Sequence, residues 1–398
     1  MTHQNSRRLT ACLLATACVA LPVRAADAPA TATLHGSRVY VSPDAAPIDG
    51  GTVRLRGDRI VSVGAAAADD APLDPRCDGG VILAGFQNSH VHLIGPEFAN
   101  AGSRPAAQLQ QAVTGLLTRW GFTTAFDIAS DRDNTLTVRA RIDRGEIAGP
   151  RLLTVGLPLF PRDGLPYYLR DQDPAFLAKL PQPATASEAV AVVRANLDAG
   201  TDGTKLFLVT PQGHGKVKRI PAEIAAAAAE ETHRRGKLVF AHPPLGTPGP
   251  WPVALMDQVR SSGTAMIPTL KLLRYELAKE QVPADVAERL VKDNVQEFGK
   301  FAAAGGQVLF GTDVDYMTDT DPTDEYALMA QAGMTPMQIL ASLTTAPAAR
   351  WNESDRRGRI APGLAADFVV LDADPATDAR RFAAVKCAIR GGKVLFVR

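Results

Sequence analysis

The chain has 398 residues, 46% hydrophobic and 21% charged, with 43 basic residues against 42 acidic. That is the balance of a globular protein long enough for a barrel-sized domain and a smaller partner. The near-zero net charge offers nothing to attract nucleic acid or anionic lipid. The 6% aromatic content disfavours a base-stacking surface or an aromatic-rich sandwich.

The chain opens with Arg7 and Arg8, an apolar run over 9–23, and Val23-Arg24-Ala25. This order of basic, apolar and small residues predicts a signal peptide over 1–25, removed on export to the periplasm or outside. The run is too short to span a bilayer comfortably. Cys12 and Cys18 would leave with it. Cys77 and Cys387 remain, either as a disulfide, if the chain ends meet, or as two buried thiols.

Residues 31–41, 51–56 and 59–63 alternate apolar and polar side chains between glycine-containing turns, as strands do. Residues 367–371, 385–389 and 394–397 do the same near the other end. The two ends predict one composite β-sandwich domain, from 26–83 and 358–398. The middle, 84–357, alternates short apolar runs with alanine-rich helical stretches. Candidate strands are 86–93, 123–128, 152–157, 203–209, 238–241, 265–270 and 308–311. Repeated strand–helix units imply an α/β fold with a parallel sheet, closed as a distorted (β/α)8 TIM-type barrel. Seven strands are counted instead of eight. The stretch between Ala241 and Ala265 holds only one helix, so one βα unit is hidden or lacking.

Candidate chemistry gathers at strand ends. His90 and His92 are two apart, so both face one side of a strand and can grip one cation; the alternative is a pair of core histidines. Asp313 ends the apolar run VLFGTD. A buried acid needs a partner, which a metal could be, or it caps a helix. Asp315 faces differently and is the poorer candidate. Lys205 lies inside GTKLFLV, where burial favours loss of its proton. A neutral lysine can take up carbon dioxide as a carbamate ligand; otherwise it pairs with a carboxylate. His242 ends LVFAH, as a ligand or as a core histidine.

Together GFQNSHVHL, GFTTAFDIA, GTDGTKLFLV, LVFAHP, VLFGTDV and GRIAPGLAADFVVLDADP resemble the amidohydrolase superfamily. They are similar in particular to the subgroup around imidazolonepropionases and Xaa-Pro dipeptidases. The resemblance implies a hydrolase of carbon–nitrogen bonds, acting on a cyclic amide, N-acyl compound or dipeptide. It implies that His90, His92 and Asp313 hold a first zinc ion, that a carboxylated Lys205 bridges to a second, and that His242 binds the second. Asp313 would be the catalytic acid–base. His214, in the loop QGHGK, could reach the substrate. The family pattern expects a further histidine ligand on a sixth strand, and this chain has no histidine after His242. One zinc is therefore expected and a second site is incomplete. The alternative is an impaired relative that keeps the fold and only binds a ligand.

Overall fold

The computed structural model describes residues 1, 31–65, 70–169, 172–213, 215–241 and 251–398. Residues 2–25 of the expected signal segment, His214 and His242 lie outside the described residues.

The two ends of the chain share one sheet. Its six strands run in the order Lys393–Val397, Val385–Arg390, Phe368–Leu371, Val81–Ala84, Arg38–Val39 and Ile48–Asp49. Phe368–Leu371 pairs antiparallel with both Val385–Arg390 and Val81–Ala84. Both central strands are apolar throughout, VILA and FVVL. The reason is that each face is buried against a different core. Ile82, Ala84, Phe368 and Val370 pack with Leu34, Val53 and Ile60 of a second sheet. Val81, Leu83, Val369 and Leu371 join the main core with Phe86, Phe122 and Phe310. The second sheet has three strands, Thr31–His35, Thr52–Arg56 and Arg59–Gly64. Its tight hairpin turns at Gly57, whose φ of 60° suits glycine. Cys77 and Cys387 form a disulfide, with Cα atoms 5.6 Å apart, so the pairing left open by the sequence is made.

The middle of the chain supplies parallel strands. Phe86–Val91, Phe122–Asp127 and Arg151–Thr154 form one sheet. Gly203–Leu206 and Leu238–Ala241 form another, joined to the first run by a parallel bridge between Leu159 and Leu206. On the far side Val91 bridges Val314, and Met266 bridges Val308. Helices follow strands, as with Arg132–Asp143 after Phe122–Asp127 and Ala222–Arg234 before Leu238–Ala241. The helix Ala186–Asp198 starts at Thr185, whose hydroxyl accepts from Glu188 N, a standard way to satisfy a first-turn donor.

Three expectations change. The strand expected over 265–270 shrinks to the bridge at Met266. Thr269 turns to φ 41° and the helix Leu270–Lys279 begins. The run AMIPTL is short enough to serve either element. The strand expected over 308–311 is likewise a bridge at Val308 with irregular backbone bonds around it. The segment QGHGK, expected as a loop, contributes Gln212, Gly213 and Lys216 to two paired strands, Val209–Gly213 and Lys216–Arg219. Among the described residues, no pairing joins Leu238–Ala241 to the Met266 segment, and no helix is long and apolar enough to cross a membrane.

Candidate metal centre

His90 is the penultimate residue of the wholly buried strand Phe86–Val91, and His92 just follows it. Their rings share one side, with centroids 5.2 Å apart. Asp313 reaches them from a segment stitched to that strand. Ser89 N donates to Phe310 O (2.8 Å), Asp313 N to His90 O (2.9 Å), and His92 N to Val314 O (3.0 Å). The Asn88 side chain donates to Thr312 Oγ1 at 2.7 Å. Gly311 permits the approach, since a Cβ there would lie 2.7 Å from His90 Cβ and 2.3 Å from the Ile267 side chain. Asp313 itself has φ 56°, a left-handed conformation that an aspartate tolerates better than most residues.

Asp313 Oδ1 lies 3.3 Å from His90 Nε2 and 2.8 Å from His92 Nε2. The three donor atoms lie within 4.8 Å of one another, and all three residues are buried. Yet Asp313 Oδ1 has no hydrogen-bond partner among the described residues. The imidazole nitrogens are close to it without being aligned on it, and an orphaned buried carboxylate oxygen is costly. Three donor atoms gathered this closely, with the carboxylate oxygen unsatisfied, fit a metal ion. Nor does the Asp313 side chain cap a helix: its oxygens accept no backbone N–H among the described residues.

His92 is oriented from behind. Its Nδ1 lies 2.8 Å from Ala129 O. A carbonyl can only accept, so Nδ1 carries the proton and Nε2 keeps its lone pair toward the centre. The Ala129 segment is held in turn by Asp127. The buried Asp127 carboxylate accepts from Ala129 N (3.3 Å), Ser130 Oγ (2.6 Å), Thr135 Oγ1 (2.9 Å) and Thr154 Oγ1 (3.1 Å). The sequence reading passed over Asp127. The signal was there in FTTAFD, an acid ending an apolar strand, the same pattern that singled out Asp313.

Burial first, offset only in part by Asp313, lowers the His90 imidazole to about 4. Burial pulls the same way at His92, but the Asp313 carboxylate overcomes it and holds His92 above its ordinary value. At Asp313 burial pushes upward, and the two imidazoles outweigh it, keeping the acid well below the usual carboxylate range. A neutral imidazole, an imidazole oriented through its other nitrogen, and an ionised carboxylate suit a divalent cation of the zinc type.

Lys205 sits in the wholly buried strand Gly203–Leu206. Burial lowers its amine to about 8, with the Asp313 charge opposing. Its Nζ rests over the Phe207 ring at 5.4 Å. Among the described residues it forms no ion pair, so the expected carboxylate partner is not there. Lys205 pairs in register with Phe240 of Leu238–Ala241, the strand that leads to His242. Asp315 does something else: its Oδ2 accepts from Ile94 N (2.6 Å) and Gly95 N (2.7 Å). It ties down the loop that follows His92. His233 is exposed on the helix Ala222–Arg234.

Residues 81–395 match the sequence model of the Amidohydrolase family. No curated protein is significantly similar in sequence. Several solved structures share the fold. A Xaa-Pro dipeptidase with methionine in its active site superposes with TM-score 0.76 at 18% identity, covering 92% of this chain and all of its own. The ochratoxinase of A. niger gives 0.73 at 18%, over 92% and 96% of the two chains. Molinate hydrolase gives 0.74 at 19%, over 92% and 95%. The α/β fold is thus that of amidohydrolases, and the chain belongs to the amidohydrolase family, hydrolases acting on carbon–nitrogen bonds.

Proposed function

We propose that the protein hydrolyses the carbon–nitrogen bond of a small amide, an N-acyl compound, a cyclic amide or a Xaa-dipeptide, using one zinc ion held by His90, His92 and Asp313. The observation that carries this is the orphaned Asp313 Oδ1, buried between two imidazole nitrogens that are not aligned on it. The fold relatives support a small substrate, being named a dipeptidase, an ochratoxinase and a molinate hydrolase. A bound zinc supplies Lewis acidity and brings the pKa of water down to about 7. The chain does the rest. Ala129 and Asp127 fix the His92 tautomer. Asp313 takes the proton of the attacking water and passes it to the leaving nitrogen, a step worth roughly 10²–10⁴-fold. Lys205, buried and without an ion-pair partner among the described residues, would serve as a carbamate ligand. His242 would complete the second site, and His214 would reach the substrate from the Val209–Arg219 hairpin.

The same reading extends to architecture and location. The parallel strands form a distorted barrel over 84–357 that lacks a βα unit after Ala241, and 26–83 with 358–398 form the β-sandwich. The Cys77–Cys387 disulfide supports export, since such bonds persist in oxidising compartments.

Metal analysis of protein purified with zinc and bicarbonate tests the proposal, together with a panel of dipeptides, N-acyl amino acids and cyclic amides. About one metal per chain and turnover of at least one class are expected. Less than about half a metal per chain, with no hydrolysis, would instead leave a ligand-binding relative that has lost its activity.

A further inference from the structure

The chain is poor in aromatic residues, yet four of its six tyrosines meet at one place. Tyr167 and Tyr168 come from the loop after Arg151–Thr154, Tyr275 from the helix Leu270–Lys279, and Tyr316 from three residues beyond Asp313. Ring centroids are 5.7 Å apart for Tyr167–Tyr168 and for Tyr168–Tyr316, and 6.3 Å for Tyr275–Tyr316. All four are half-buried. Burial pushes the Tyr168 and Tyr316 hydroxyls upward, and the Asp313 charge adds to it in both. Met317 N donates to Asp313 O at 3.2 Å, so Tyr316 lies in the same turn as Asp313, and Tyr168 packs against Tyr316.

Tyr316 is fixed from outside. Its hydroxyl donates to Glu276 Oε1 at 2.8 Å, and the Lys279 ammonium lies 5.2 Å from its ring centroid. Tyr167 is tied to Glu280 in the same way. The Tyr168 hydroxyl has no hydrogen-bond partner among the described residues. These rings are rigid, so a ligand that stacks on them loses little side-chain entropy in binding.

We propose that Tyr168 and Tyr316 form the wall that receives an aryl group of the substrate beside the metal centre. The enzyme's substrates would thus be aromatic amides, N-acyl compounds or dipeptides. This rests on the hydrolase reading above and narrows its substrate class. Glu276 and Lys279 hold the wall in place without touching the substrate.

The test compares phenylalanine with cyclohexylalanine, each offered as an N-acetyl amino acid and within a dipeptide. The two side chains match in length and carbon count, and cyclohexyl is at least as apolar but thicker, so a phenyl preference is assigned to stacking only where Tyr168→Leu erases it. Wild-type kcat/KM should favour phenyl by roughly three- to tenfold. Tyr168→Leu should erase that preference, and Tyr316→Phe should keep most of it. Titration calorimetry of the same compounds on Asp313→Asn protein reads binding without turnover. A phenyl preference in binding with no turnover in wild type would keep the wall and sink the hydrolase reading. Equal handling of phenyl and cyclohexyl in both assays, or no binding of either, overturns the wall. So does a preference that survives Tyr168→Leu.

Discussion

The two sides of the centre are built to different standards. On the His90 side, the strand Phe86–Val91 is buried at every residue and paired on both edges, by Phe122–Asp127 and by the segment carrying Asp313. On the other side, beyond the buried strand that carries Lys205, the strand Leu238–Ala241 has one buried residue out of four and a partner on one edge only, among the described residues. The next helix, Val253–Ser261, has no buried residue, and Val253 and Leu255 are half or more exposed. A strand paired on both edges has more backbone hydrogen bonds holding its end than a strand paired on one. The difference fits the proposal of one metal ion held on the His90 side.

The largest effect tests the better side. Asp313→Asn keeps an oxygen donor and removes the group that moves the proton. Turnover should fall roughly 10²–10⁴-fold while most of the metal stays bound. Rates near wild type in that variant would remove Asp313 from the chemistry. Next comes a direct comparison of the sides. His92→Ala should strip the metal, because one of its three donors goes. His242→Ala should leave most of the metal in place. Equal losses, measured by metal content after dialysis, would show that both sides carry the ion.

The third prediction tests the support behind the better side. Asp127→Asn keeps the shape and removes a charge that organises four donors. The Ala129 carbonyl should then hold His92 less firmly. Metal affinity should fall roughly 10–100-fold, with the secondary structure unchanged by circular dichroism. An unchanged affinity would mean that Ala129 is placed by the backbone alone.

The sequence shows the two sides unequally as well. His90, His92 and Asp313 are legible because each lies at the end of an apolar run, where polar residues need a reason. The composite sheet is legible because its strands alternate or run apolar, according to whether one or both faces are covered. Asp127 follows the same rule and was missed for want of a histidine beside it. The tyrosine wall has no pattern to read, since its rings come from three separate segments with no shared period. Cys77 and Cys387 are 310 residues apart, so only the joined ends of the chain could decide their pairing. The helix Val253–Ser261 between Ala241 and Ala265 was legible. The turn at Thr269 was not, because AMIPTL fits a strand as well as the start of a helix.

That turn carries the smallest predicted effect. The fully buried Glu325 accepts from Leu270 N at 2.9 Å and Lys271 N at 2.8 Å, and so fastens the helix that follows the weak side. Burial raises its carboxyl to about 7, with the two backbone donors opposing. A folded-state value above the unfolded one means that folding favours the protonated acid. The penalty is absent below about pH 4.5 and grows until it is complete above about pH 7, reaching about 3 kcal/mol at most. Glu325→Gln removes the titration but offers one oxygen to two N–H donors. The variant should be the less stable protein at pH 5, and its deficit should shrink as the pH rises to 8. Urea unfolding of both proteins at the two pH values measures the gap. A gap that stays constant would mean that Glu325 is ionised throughout, its two donors sufficient to hold a buried charge, and that the weak side is anchored more firmly here than its strands suggest.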